Sequence, residues 1–186
     1  MNKEIELLDF CRVKKIFEKG FGFLSTIYFE ENIFFHFSKV RDKVDRESLQ
    51  NMKRGVVYVF YTSEPSDEKR KVKRLWTDLK KVDTRLIPSF VDKVIDELKE
   101  GDTNIFETAH VIKLLREAKL LLEEKFLKIL ESSKVGKTPT ILKPMLTKEE
   151  IDRFENFEKL VEDIKNSKIK KEIWIDRILE NVSTTF

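Results

Sequence analysis

The chain has 186 residues, 40% hydrophobic and 38% charged, with a formal net charge of +3, so it can bury a core in one domain or two small ones. Its single cysteine, Cys11, excludes an intramolecular disulfide, and no Cys/His cluster has zinc-ligand spacing. There is no charged-then-apolar leader and no apolar run long enough to span a bilayer, so the expectation is a soluble, cytoplasmic protein with no membrane contact.

The residues are unevenly distributed. Nine of the fifteen Phe and three of the five Gly precede residue 77, whereas the rest is rich in Leu, Ile, Lys and Glu. Charge divides the same way: residues 10–76 carry 15 Lys and Arg against 9 Asp and Glu, and residues 77–186 carry 21 against 22. Two domains are expected, 1–76 and 77–186, with the basicity on the first. A basic surface confined to one module suits a polyanionic partner, because neutralised phosphates release counterions.

In the first domain, brief β-branched and aromatic runs broken by Gly and charged loops predict strands over 12–17, 21–26, 33–37, 56–61 and 71–75. Five short strands suggest a small Greek-key barrel. Within Lys19-Gly20-Phe21-Gly22-Phe23-Leu24, alternation puts Phe21 and Phe23 on one face and Leu24 on the other. Gly22 weakens a strand, and room for a flat ring across the backbone is a reason for it, as the floor of a stacking platform. In Ile33-Phe34-Phe35-His36-Phe37 the same period sends Phe34 and His36 outward and Ile33 and Phe35 inward. These Phe cannot all be core, since the neighbours Phe34 and Phe35 cannot share the one inner face of a small barrel.

Lys19-Gly20-Phe21-Gly22-Phe23 resembles the first ribonucleoprotein motif of cold-shock domains, and Ile33-Phe34-Phe35-His36-Phe37-Ser38 resembles the second, at the family's usual separation. Met52-Lys53-Arg54-Gly55 is similar to the family's turn into its fourth strand, and Val72 and Leu75 fit its closing strand. The resemblance covers about residues 10–76. It implies an all-β five-stranded barrel of OB type, without catalytic activity or cofactor, binding single-stranded RNA or DNA on strands two and three. Carried over by position, Lys19, Phe21, Phe23, Phe34, His36 and Phe37 match the family's binding positions. Where the family places a strand-one Trp, this sequence has Lys14-Lys15-Ile16-Phe17 and a turn one residue shorter, so Lys15 would supply charge in its place. Lys14, Lys39, Arg41, Lys53 and Arg54 are further phosphate-contact candidates.

After Trp76 the apolar period changes to about 3.6, predicting an all-α bundle of three or four helices. Pro88 suits the first turn of a helix over 88–100, with Phe90, Val91, Val94, Ile95 and Leu98 on one side and Gly101 as its stop. Asn104 with Glu107 forms a capping box opening a second helix that reaches as far as Glu131. That helix is apolar on more than one side, which suits a central position in the bundle or an oligomer interface. Helices are also expected from Thr147 and over 169–182, where the consecutive Ile173, Trp174 and Ile175 suit a homodimer or a protein partner. Gly136-Lys137-Thr138 is no phosphate loop, because that motif needs Gly where Glu131 stands and a strand before it. The acidic run from Glu149 to Asp163 reads as a solvated helix face, and His110 has no catalytic companion at useful spacing.

The expected function is therefore single-stranded nucleic-acid binding, of RNA ahead of DNA, as an RNA chaperone or post-transcriptional or transcriptional regulator whose helical domain dimerises or recruits a partner. The alternative is a protein-interaction adaptor built on a diverged barrel. No nucleophile and base, metal set or cofactor loop supports an enzyme.

Overall fold

The computed structural model describes residues 3–13, 16–51, 57–101, 103–131, 141 and 143–147. Lys14, Lys15, Lys53, Arg54, the 136–138 segment and the two helices expected beyond Thr147 lie outside the described residues. Contacts divide the chain into two compact units, Met1–Lys93 and Val94–Phe186.

The first unit holds five strands: β1 Asp9–Val13, β2 Phe21–Leu24, β3 Ile33–His36, β4 Val57–Glu64 and β5 Lys71–Trp76. They form one mixed sheet in the order β1-β4-β5-β3-β2, antiparallel except for the parallel β3–β5 pair. The sheet curls into a half-barrel, so that its two edges approach: Phe17, beyond β1, bridges to Phe21, and Cys11 Sγ lies 3.2 Å from Ser25 Oγ. A register shift between Thr62 and Ser63 interrupts the β4–β5 ladder, a bulge of the kind that adds bend and twist.

Leu24, Ile33, Phe35, Val59, Tyr61 and Val72 fill the inside of the curl. Alternation explains the set, since each is separated from its neighbour on the same strand by a residue of the other face. β1 begins at Asp9, upstream of the expected position, and both of its faces are covered. Cys11 and Val13 face the curl, while Phe10 meets the Phe90 ring edge-to-face at 6.3 Å, as Phe60 does at 6.1 Å. Burial on two faces removes the polar-apolar alternation by which a strand start is recognised.

Between β3 and β4 stands α1 Lys43–Gln50, a helix that no apolar period announces, since only Asp45 and Leu49 of it are buried. It forms because Asp42 caps it, its carboxylate accepting from the amides of Val44 at 2.8 Å and Asp45 at 3.1 Å. Asp45 in turn accepts from the amide and hydroxyl of Thr77, tying α1 to the end of β5.

Helix α2 Ile87–Glu100 buries Phe90, Val91, Val94 and Leu98 at the expected spacing. In the second unit the expected long helix is two, α3 Ile105–Glu117 and α4 Glu123–Glu131. The Asn104 cap is present, accepting from Phe106 and Glu107 amides at 3.0 and 3.2 Å. The break is a Schellman turn: Lys119 takes φ +58°, its amide donates to Arg116 O, and the Leu120 amide donates to Leu115 O. Thr108, Ile112 and Leu115 make a buried stripe whose next member in an unbroken helix would be Lys119. Ending the helix leaves that ammonium exposed instead. Arg116 then links the pieces, donating to Met145 O at 2.9 Å with its guanidinium 3.9 Å from the Phe126 ring centroid.

Candidate nucleic-acid interface

The interface is built on a tight hairpin. Phe17 and Phe21 pair across Glu18-Lys19-Gly20, with the Gly20 amide donating to Phe17 O at 2.9 Å and the Phe17 amide to Phe21 O at 3.1 Å. Gly20 takes φ +77°, the left-handed position that a three-residue hairpin of this kind assigns to glycine. The turn leaves Lys19 exposed at its tip and brings the Phe17 ring onto Phe21, stacked at 5.0 Å with 17° between planes.

On β2 and β3, Phe23 stands opposite Phe34 and Phe21 opposite His36. The rings form a continuous set: Phe21 to Phe34 at 6.0 Å, Phe23 to Phe34 at 5.7 Å and Phe21 to Phe23 at 6.5 Å. Phe17 is 42% exposed and Phe23 41%, while Phe21 and Phe34 are half-buried. Burial normally claims large aromatic rings, so a cluster of four on one face, two exposed and two half-buried, offers area to a flat, apolar partner. Lys71 stands opposite Phe34 on β5, and Lys69 places its ammonium 5.4 Å from the Phe23 ring centroid.

His36 is exposed, and its Nδ1 accepts from the Ser38 amide at 3.1 Å. That assigns the proton to Nε2, which leaves an N–H donor on the other side of the ring. Phe37 is not part of the ring set. It begins a single 3-10 turn, Phe37–Lys39, and packs on the core through Phe35 at 6.2 Å. Lys39 and Arg41 are both exposed and line a cleft with Asp42, Arg74, Trp76 and Lys81, a lining to which no residue of the ring set contributes.

Gly22 has a different role from the one expected of it. It faces inward, as the residue between two outward Phe must, and a Cβ there would lie 2.6 Å from Phe35 Cε1. The ring that crosses its backbone is Phe35, packed from the core, and the platform has no glycine floor.

Phe17 and Lys69 belong to the candidate site and were not singled out from sequence. Phe17 was discoverable from the turn, because a Gly-closed three-residue loop pairs it with Phe21. Lys69 sits in the β4–β5 connection, whose distance in sequence from β2 hides its position. That connection is held where the Phe34 amide donates to Arg70 O at 3.1 Å, and the Arg70 guanidinium lies 3.7 Å from the Phe29 ring centroid.

Beneath the curl's edge, Asp9 fastens β1 to the segment after β2. Its carboxylate accepts from the Phe10 amide at 2.8 Å, the Ile27 amide at 3.2 Å and the Thr26 hydroxyl. Burial pushes its pKa up to about 7, against the opposing effect of these hydrogen bonds. The Tyr61 hydroxyl, also raised by burial, donates to Ser25 O in the same layer.

Comparison of the chain with family models, curated proteins and solved structures returned no match.

Proposed function

We propose that residues 10–76 form a cold-shock-like module of OB type that binds single-stranded nucleic acid, RNA in preference to DNA, by stacking bases on Phe17, Phe21, Phe23 and Phe34. The observation that carries this reading is the unbroken set of outward rings on β2 and β3 with cations at its margin. In OB folds it is this pair of strands that faces oligonucleotides.

The chemistry follows from the rings. Every base has a π-face, so stacking contributes about 1–3 kcal/mol per base with little sequence discrimination. His36 offers its Nε2 proton to a base edge or phosphate, and Lys19, Lys69 and Lys71 add a salt-dependent attraction to the backbone. A duplex keeps its base faces covered and cannot use the platform. The helical unit supplies dimerisation or a surface for a protein partner, giving an RNA chaperone or a regulator of transcripts. Catalysis has no part in this function.

Fluorescence anisotropy with labelled eight-nucleotide RNA, DNA and the matching duplex tests the proposal. Single strands are expected to bind at least tenfold more tightly than duplex, with affinity falling as salt rises. Equal affinity for duplex, or binding to neither, would overturn it.

A further inference from the structure

The cleft lined by Lys39, Arg41, Asp42, Arg74, Trp76 and Lys81 has a volume of about 310 Å³ and lies at the far end of the parallel β3–β5 pair. Four cations face it against one carboxylate of its own lining. Two of the four are already engaged: Lys81 with Asp42 at 3.2 Å, and Arg74 with Glu6 at 2.7 Å and Asp83 at 3.4 Å. Lys39 and Arg41 form no ion pair among the described residues, and both side chains are exposed. Two unneutralised cations at the mouth of a concavity attract an anion.

The wall of the cleft adds a second requirement. The Trp76 indole is half-buried, with the Arg74 guanidinium 5.1 Å from its ring centroid. Arg74 is held there by its two carboxylate partners, so a fixed guanidinium lies over the indole beside the other cations. Planar π-surface next to positive charge is the chemistry that recognises a base with its phosphate. The volume lies at the lower end of the range for small-ligand sites, enough for one nucleotide.

We propose that this cleft is a site for one nucleotide, its phosphate held by Lys39 and Arg41 and its base against Trp76. Resting on the single-strand reading above, the nucleotide is one of the same bound strand, downstream of those on the rings. Along β5, Trp76 stands five residues past the level of Phe34, about 16 Å by strand rise, and the 3-10 turn carrying Lys39 follows β3 directly. A strand leaving Phe34 beside His36 is thus led toward the cleft, which lengthens the binding track beyond the rings. A free mononucleotide would satisfy the same chemistry.

Anisotropy with labelled four- and ten-nucleotide single strands separates these outcomes, using the full chain and the exposed-site variant Lys39→Gln/Arg41→Gln. The variant should bind the ten-mer about 5- to 10-fold more weakly and the four-mer within twofold of the unmodified chain. Its log–log salt slope on the ten-mer should be shallower by about 0.7, one phosphate's worth. Trp76→Leu should weaken the ten-mer without changing that slope. A titration with AMP, followed by NMR, covers the other source: loss of AMP binding in Lys39→Gln/Arg41→Gln, with the ten-mer unaffected, supports a site for free nucleotides. If neither ten-mer nor AMP responds to the variant, the cleft is no nucleotide site. Phe21→Ala/Phe34→Ala distinguishes that failure from failure of the stacking reading, because only the latter leaves four-mer affinity intact in the ring variant.

Discussion

Phe23 exposes 41% of its surface while leaning on Phe34, so its ring is available to a ligand without being the support of a core. Phe23→Ala is expected to weaken single-strand binding about 5- to 160-fold, from the loss of one stacked base, while the urea midpoint moves little. Gly22 should behave in the opposite way. Gly22→Ala drives a methyl into the Phe35 ring and should destabilise the fold by about 1–3 kcal/mol in urea titration, leaving the affinity of the folded fraction unchanged. Alternation separated Phe34 from Phe35 in the sequence and also sent Gly22 inward. The purpose of the glycine was missed because the ring it accommodates comes from the neighbouring strand, a pairing that composition does not reveal.

Asp9 was equally hidden, being a carboxyl in a short strand with no partner nearby in sequence. Its carboxyl keeps its proton up to about pH 7 in the folded chain, but releases it near its ordinary 3.8 when unfolded. Between those values the folded state binds more protons than the unfolded one, so stability falls as pH rises, by up to about 1.4 kcal/mol per pH unit. Below the window this contribution is favourable to folding, and above pH 7 it is lost. Asp9→Asn should flatten this decline in urea midpoints measured from pH 5 to 8. An unchanged slope in the variant would place the titration elsewhere.

Among the elements, β2 to β5 were readable from β-branched and aromatic runs and the interface hairpin from its glycine, whereas β1 was expected over 12–17 and lies at Asp9–Val13. What escaped was α1, whose eight residues carry too few apolar side chains to show a helical period and which depends on the Asp42 cap and on Asp45 reaching Thr77. The division between α3 and α4 was signalled only by a lysine on an apolar stripe, without the Gly or Pro that usually marks a helix end. Lys119 holds a left-handed backbone that costs a side-chain-bearing residue about 1–2 kcal/mol. Lys119→Gly should therefore stabilise the chain by up to about 1 kcal/mol in urea titration with helix content unchanged. A loss of stability would show that the turn depends on the lysine side chain.

For the whole molecule, charge and aromatic rings are concentrated in the same stretch of sequence, and the curled sheet places the rings on one outward face with Lys69 and Lys71 at its margin. Among the described residues no helix is long and apolar enough to cross a membrane. Two to four neutralised phosphates would give a log–log salt slope between about −1.4 and −2.8 on a single strand. An adaptor that docks a protein on the same rings would instead bind with little dependence on salt. The most direct measurement is the affinity of Phe21→Ala/Phe34→Ala for a labelled eight-nucleotide single strand, with urea midpoints recorded alongside to confirm folding. Loss of two stacked bases predicts a decrease of at least about 25-fold in a folded variant. A folded variant that binds within twofold of the unmodified chain would contradict stacking on this face.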